Sequence, residues 1–182
     1  GWDNVLSFAA NYVNQLELGL DATRVAVVSF SFRRTLVASF DATGSKVELV
    51  DLILAAEYLN AGTRLGTSLA WVARNLINGG ASVGRRANVP ASVLVVLDGD
   101  SSESPEAFQE GASELLATGA SIFALGVGNS VSAATLATVV SPEAAPLVLT
   151  ATNTNEIASA AFAATAITNT LCFAPMSSTS TS

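Results

Sequence analysis

Ala91-Ser92-Val93-Leu94-Val95-Val96-Leu97-Asp98-Gly99-Asp100-Ser101 is the stretch whose reading decides the fold. Its first seven residues are apolar apart from Ser92. A strand without alternation is covered on both faces, which is the habit of parallel sheets packed between helices. The run stops at a carboxylate, Asp98, followed by glycine and a polar segment. In an open parallel sheet the ligand crevice lies beyond the carboxyl ends of the strands, so Asp98 stands where such a sheet does its chemistry. A second segment, Ala61-Gly62-Thr63-Arg64-Leu65-Gly66-Thr67, puts a glycine-flanked threonine just before a helix. A carboxylate and a hydroxyl meeting at that crevice, in a chain without histidine, suit a hard, oxygen-liganded cation better than covalent catalysis.

Outward from this strand, the pattern alternates. Val5, Phe8, Ala9, Tyr12, Val13 and Leu16 recur at helical spacing, predicting a helix over 4–18 that ends at Gly19. An apolar strand follows over 24–30, and a more alternating one over 34–40 pairs beside it as an edge hairpin. Ser45 with Glu48 reads as a capping box opening a helix over 46–59. The segment 66–76 is helical and 78–90 is loop. Ser104-Pro105-Glu106 is a strong helix start, the helix running to about 118. A strand over 121–127, a short helix over 132–140, a short strand over 147–150 and a last helix over 155–171 complete the order. Strands alternating with helices predict an α/β, Rossmann-like, doubly wound fold. Its central sheet is mostly parallel with one antiparallel edge strand, and helices cover both faces.

Composition narrows the function. Half of the 182 residues are hydrophobic and 13% are charged, which describes a packed globule. A net charge of -7 argues against nucleic acid and favours cations or cationic partners. Arg85-Arg86 sits in a Gly/Ser/Asn loop and reads as solvated. Without histidine there is no Ser-His-Asp or Cys-His triad and no ordinary zinc site. The single cysteine, Cys172, is either buried or paired outside this chain. Mean hydropathy is +0.48, but the best membrane candidate, 157–174, carries Asn169 and several hydroxyls and reads as a buried Ala-rich helix. The chain opens on Gly1 in what looks like a helix already under way, with no signal peptide, and is expected to be a piece of a longer precursor. Gly126-x-Gly128 lacks the third glycine of a dinucleotide loop and reads as a turn.

Five pieces in order carry a family likeness: 23–30 after a Gly-containing turn; Gly62-Thr63-x-x-Gly66-x-x-Leu69; 93–101; Gly119-Ala120-x-Ile122-Phe123-Ala124-Leu125-Gly126-Val127-Gly128; and a final helix ending in Cys172. Together they resemble a von Willebrand factor type A domain, the fold also called the integrin I domain, over nearly the whole chain up to Cys172. The resemblance implies a divalent cation, Mg2+ or Mn2+, at a metal-ion-dependent adhesion site built from three loops. Thr63 matches the threonine position and Asp98 the last aspartate. The Asp-x-Ser-x-Ser loop that follows the family's first strand has no match, and Gly1-Trp2-Asp3-Asn4 resembles the stretch just after it. The sheet is therefore expected to lack its central strand, and metal binding to be weak or absent. The resemblance also implies that Cys172 pairs with a cysteine before the first strand, in an extracellular or cell-surface setting.

Each candidate has a plainer reading. Asp98 is a metal ligand, or a residue that turns the chain at Gly99. Thr63 gives its hydroxyl to a cation, or only starts a helix. Asp100, Ser101, Ser102, Glu103 and Ser104 are loop and cap, at most the rim of a binding face. The domain is expected over 1–173, with a Ser/Thr-rich tail over 174–182. The expected function is a non-enzymatic adhesion module that binds, through its cation, a protein ligand presenting an acidic side chain. It engages no nucleic acid and inserts into no membrane. The alternatives are a metal-independent interaction domain of the same fold and a metal-dependent phosphoryl-transfer enzyme using Asp98 and Asp100.

Overall fold

The computed structural model describes residues 1–99 and 101–170. The expected tail over 174–182, Asp100 and Cys172 lie outside them. Seven helices, α1 (Trp2–Asn14), α2 (Lys46–Leu54), α3 (Leu65–Val72), α4 (Pro105–Leu116), α5 (Ala133–Ala137), α6 (Thr154–Ile157) and α7 (Ala160–Thr170), are described together with five strands. The strands are β1 (Val27–Phe30), β2 (Arg34–Ala38), β3 (Ser92–Leu97), β4 (Ser121–Val127) and β5 (Leu149–Ala151). A π turn, Ala73–Ile77, continues α3.

The caps show why the helices begin where they do. The Ser104 hydroxyl accepts the Ala107 amide at 3.3 Å with Pro105 in the first turn of α4, and the Ser45 hydroxyl accepts the Glu48 amide at 3.4 Å. The second half of the expected capping box does not close, because the Glu48 carboxylate takes the Thr43 hydroxyl instead. Three expected helices are shorter than their periodicity. α1 stops at Asn14, where Gln15 and Leu16 bond back to Tyr12 and Val13 in a tighter turn. α2 stops at Leu54. The last helix is broken in two, Ser159 capping α7 through the Phe162 amide.

β3, β4 and β5 form a parallel sheet, with Ser92 opposite Ser121 through Leu97 opposite Gly126, and Leu125 opposite Leu149. β1 and β2 form the expected antiparallel hairpin, Phe30 opposite Arg34. The α/β architecture is as the sequence predicts, but its sheet is in two pieces: β3 is an edge of the three-stranded piece, and no ladder joins it to β1 among the described residues.

The two pieces are held at their ends. At the carboxyl ends the Arg64 amide donates to the Ser31 carbonyl at 3.3 Å, and the Ser102 amide to the Thr63 carbonyl at 2.8 Å. At the amino ends the Arg86 guanidinium donates to the Leu20 and Ala22 carbonyls. β1 and β3 therefore run in the same direction on either side of a gap. Helix α1 bridges it on one face. Its Leu6, Ala10 and Val13 pack with Ala38 and Val27, and its Phe8 with Leu125, Val127, Leu94 and Val96. On the other face Leu65 and Leu69 of α3 pack with Val95, Leu97 and Phe30. What remains between is a cavity of about 670 Å³.

Candidate metal centre at the carboxyl ends of the strands

Thr63 and Asp98 both line this cavity. Thr63, half buried, is delivered by a strained loop. Asn60 is the one non-glycine residue with positive φ, 33°, among those described, a conformation asparagine tolerates better than most. At Gly62 a Cβ would sit 2.8 Å from the Phe32 ring and 3.2 Å from the Ser102 hydroxyl, so a side chain there must push one of them aside. Asp98 is exposed and follows directly on β3.

The two loops are tied through one atom. The Thr63 carbonyl accepts the Ser102 amide and the Ser102 hydroxyl, each at 2.8 Å, and the Ser101 hydroxyl at 3.2 Å. Glu103 is occupied elsewhere: its carboxylate accepts the Thr67 amide at 3.2 Å and the Thr67 hydroxyl, fixing the start of α3 to the loop. The rim residues Ser101, Ser102 and Glu103 thus hold the site together. Ser104 caps α4, and Glu106 in its first turn is held below the ordinary carboxylate range by its own backbone amide and then by Ser104.

Two hydroxyls were not singled out from the sequence. Ser29 in β1 and Ser31 just after it are buried, 8% and 4% exposed, and both line the same cavity. The signal was present: Ser29 is the polar interruption in Val25-Ala26-Val27-Val28-Ser29-Phe30. The Ser31 hydroxyl accepts the Arg33 amide at 3.3 Å. Arg64 stacks its guanidinium 4.7 Å from the Phe32 ring centre, placing a cation on the rim.

As a cation site the set is incomplete. Magnesium wants six oxygens in near-octahedral array. Here one carboxylate and a few hydroxyls line the same cavity, and no group of three or more His, Cys, Asp or Glu stands together among the described residues. The donors are of the right chemistry and too few. The Gly126-x-Gly128 segment is the end of β4 rather than a turn throughout: Gly126 lies in the strand, where a Cβ would meet Leu136 at 2.9 Å, and Gly128, with φ of 89°, turns the chain after it. No described helix is long and apolar enough to cross a membrane.

An α/β domain whose candidate donors gather at the carboxyl ends of its strands is a ligand-binding class of fold, and comparison with known proteins narrows it. The family model of the von Willebrand factor type A domain matches residues 1–162. Human Matrilin-4 is 31% identical over 130 residues, covering 71% of this chain and 20% of that protein. Human Matrilin-1 is 30% identical over 143 residues, 77% of this chain and 28% of that protein. Proximal thread matrix protein 1 from the mussel byssus, in a structure with a zinc-occupied MIDAS motif, superposes with a TM-score of 0.77 at 23% identity, over 86% of this chain and 40% of that one. The chain belongs to the von Willebrand factor type A domain family. It spans about a fifth to a quarter of the length of the relatives it matches.

Proposed function

We propose that this domain is a non-enzymatic adhesion module of the extracellular space, binding a protein ligand through a divalent cation held beside Thr63 and Asp98. The single observation that carries the reading is that Thr63 and Asp98 line one cavity, with the loops that follow them bonded through the Thr63 carbonyl. Asp98 would hold the cation, directly or through water, and the Thr63 hydroxyl would add a neutral oxygen. A cation held mostly by neutral oxygens keeps positive character, which an acidic side chain of the partner would complete. The family membership and the zinc-bound mussel structure support the metal. Mg2+ or Mn2+ fits the hard oxygen donors.

With so few donors, affinity for Mn2+ is expected at about 10⁻³ M or weaker, at or below the weak end that oxygen sites reach for Ca2+. Manganese-induced proton relaxation on the 182-residue chain measures it. Asp98→Asn and Thr63→Ala should each weaken binding, with Asp51→Asn as a remote control. Equal binding by all four chains would refute the assignment. The sparse carboxylate count favours one second reading, a metal-independent interaction domain of the same fold. In that case ligand capture is unchanged by chelator.

A further inference from the structure

Basic side chains are scarce in this chain, 8 against 15 acidic ones, and most of them are used by the fold. Arg24, Lys46, Arg85 and Arg86 donate to backbone carbonyls, and Arg74 donates to Glu114. The remaining three, Arg33, Arg34 and Arg64, give their guanidinium groups to no oxygen among the described residues. These three stand around one turn. Arg34 opens β2 opposite Phe30, and Arg33 lies in the turn just before it. Arg64 comes from the threonine loop, its amide on the Ser31 carbonyl at 3.3 Å and its guanidinium 4.7 Å from the centre of the Phe32 ring.

The turn is built and open at once. The Ser31 amide donates to the Arg33 carbonyl at 2.7 Å, and the Arg33 amide to the Ser31 hydroxyl at 3.3 Å, so its backbone is fixed. Phe32 is 45% exposed, an aromatic ring held out at the surface with a cation against it. A guanidinium stacked on a ring loses less freedom when it binds than one waving in solvent. Nη1 of Arg34 is buried with no hydrogen-bond partner among the described residues. A charged N–H taken from water without an acceptor is costly. A charge so placed is screened less than an exposed one, and it attracts an anion at the surface more strongly.

We propose that this turn is a docking site for an acidic segment of a protein partner. Several carboxylates of the segment pair with Arg33, Arg34 and Arg64, and an apolar side chain covers Phe32. The site needs no cation and stands apart from the reading of Thr63 and Asp98. Three observations choose a protein over other anions. The guanidinium fork matches a carboxylate with two parallel hydrogen bonds. Arginine beside an exposed aromatic ring is the composition of the residues that dominate protein interfaces. A net charge of -7 repels a long polyanion such as a sulfated glycan everywhere beyond the turn, whereas a short acidic segment touches only the basic island.

The test is fluorescence anisotropy of a dye-labelled peptide of alternating Asp, Glu and Leu, titrated with the 182-residue chain in EDTA. Arg33 and Arg64 are both exposed, so their substitution spares the core, and circular dichroism melts check each variant. Arg33→Gln with Arg64→Gln should weaken binding by about tenfold or more, the scale of one lost charge-assisted hydrogen bond. Arg33→Lys with Arg64→Lys keeps the charge but not the fork and should fall between. Lys46→Gln with Arg74→Gln removes the same charge elsewhere and should change binding by less than about twofold, as screened distant charges do. Serine in place of the peptide's leucines should weaken it by about threefold or more, the scale of a partly buried apolar side chain. No binding by the parent chain would overturn the proposal, and so would equal losses in the two glutamine pairs, which would mark net charge alone. Binding that requires Mn2+ or is lost in Asp98→Asn would place the peptide at the cation site and overturn the separate one; binding that survives both supports it whatever becomes of the metal. A heparin oligosaccharide that binds more tightly than the peptide, and is lost in the same arginine pair, would overturn the choice of a protein ligand.

Discussion

Replacing Gly111 by alanine pushes a methyl group into the backbone of the helix that follows the threonine loop. A Cβ at Gly111 would lie 1.9 Å from the Gly66 carbonyl oxygen and 2.5 Å from its carbon, and the reciprocal Cβ at Gly66 would lie 2.2 Å from the Ala107 oxygen. Helices α3 and α4 therefore cross with their backbones touching at two glycines. Ordinary contact begins near 3.4 Å, so the crossing must open by about 1.5 Å, the difference between 1.9 and 3.4 Å. No rotamer relieves it, because both colliding atoms are main chain. Overpacking costs about 1–3 kcal/mol, and a backbone clash belongs at the top of that range. Alanine recovers about 1 kcal/mol over glycine in a helix interior. The net expectation for Gly111→Ala is a loss of about 2 kcal/mol, a fall in Tm of about 4–8 °C for a chain of this size. Circular dichroism melts measure it, with Gly44→Ala, where a Cβ meets nothing within 4 Å, as the neutral control. A Gly111→Ala chain as stable as the parent would refute the close crossing and the placement of α3 with it.

Ser141→Ala should cost about 1–3 kcal/mol, because the buried Ser141 hydroxyl is the acceptor for the Ile122 amide at 2.8 Å; chemical denaturation and faster exchange at Ile122 are the checks. Gly62→Ala should weaken Mn2+ binding, since its Cβ would displace Phe32 or Ser102; unchanged manganese relaxation would contradict the loop's assigned role. Glu114 is held below its ordinary pKa first by the hydrogen bond from Arg74, whose Nε lies 2.5 Å from its Oε1, and Arg74 is raised in turn. A depressed carboxylate contributes stability that is complete above its unfolded pKa, near 4.5, and is lost as pH falls through the lowered folded value. Glu114→Gln should therefore flatten the acid limb of stability below that pH and leave neutral stability little changed, as expected of an exposed pair; thermal melts from pH 3 to 7 (roughly the carboxylate range) test this.

Local chemistry explains which parts were readable beforehand. β4 was expected over 121–127 and is observed there, because an apolar run bounded by Gly119 and the Gly128 turn has no competing interpretation. The caps at Ser45 and Ser104 were readable for the same reason: a short polar side chain followed by a free amide is a local event. Helix ends were overextended where apolar spacing continued past the backbone's own stop. Leu16 is buried at a helical interval from Val13 and yet belongs to the turn after α1. The broken sheet illustrates the other limit. The pattern of β3 reports that both faces are covered, but a strand's two edges carry the same backbone groups whatever its side chains, so nothing local tells a central strand from one beside a gap. The described residues form two separate sheets beside a cavity. Thr63 and Asp98 both line the cavity, and so do Ser29 and Ser31, which were passed over because serine in a strand carries no positional signature of its own.

The gap and the mouth above it are mechanically one object. Thr63 is bonded to the β3 side through Ser101 and Ser102, and its neighbour Arg64 to the β1 side through Ser31. Lower down, described hydrogen bonds lie at the far ends of the strands, from Arg86 to the Leu20 and Ala22 carbonyls and from Arg24 to the Gly84 carbonyl. The distance between Ser29 and Asp98 is thus set by helix packing across a void rather than by a hydrogen-bonded ladder.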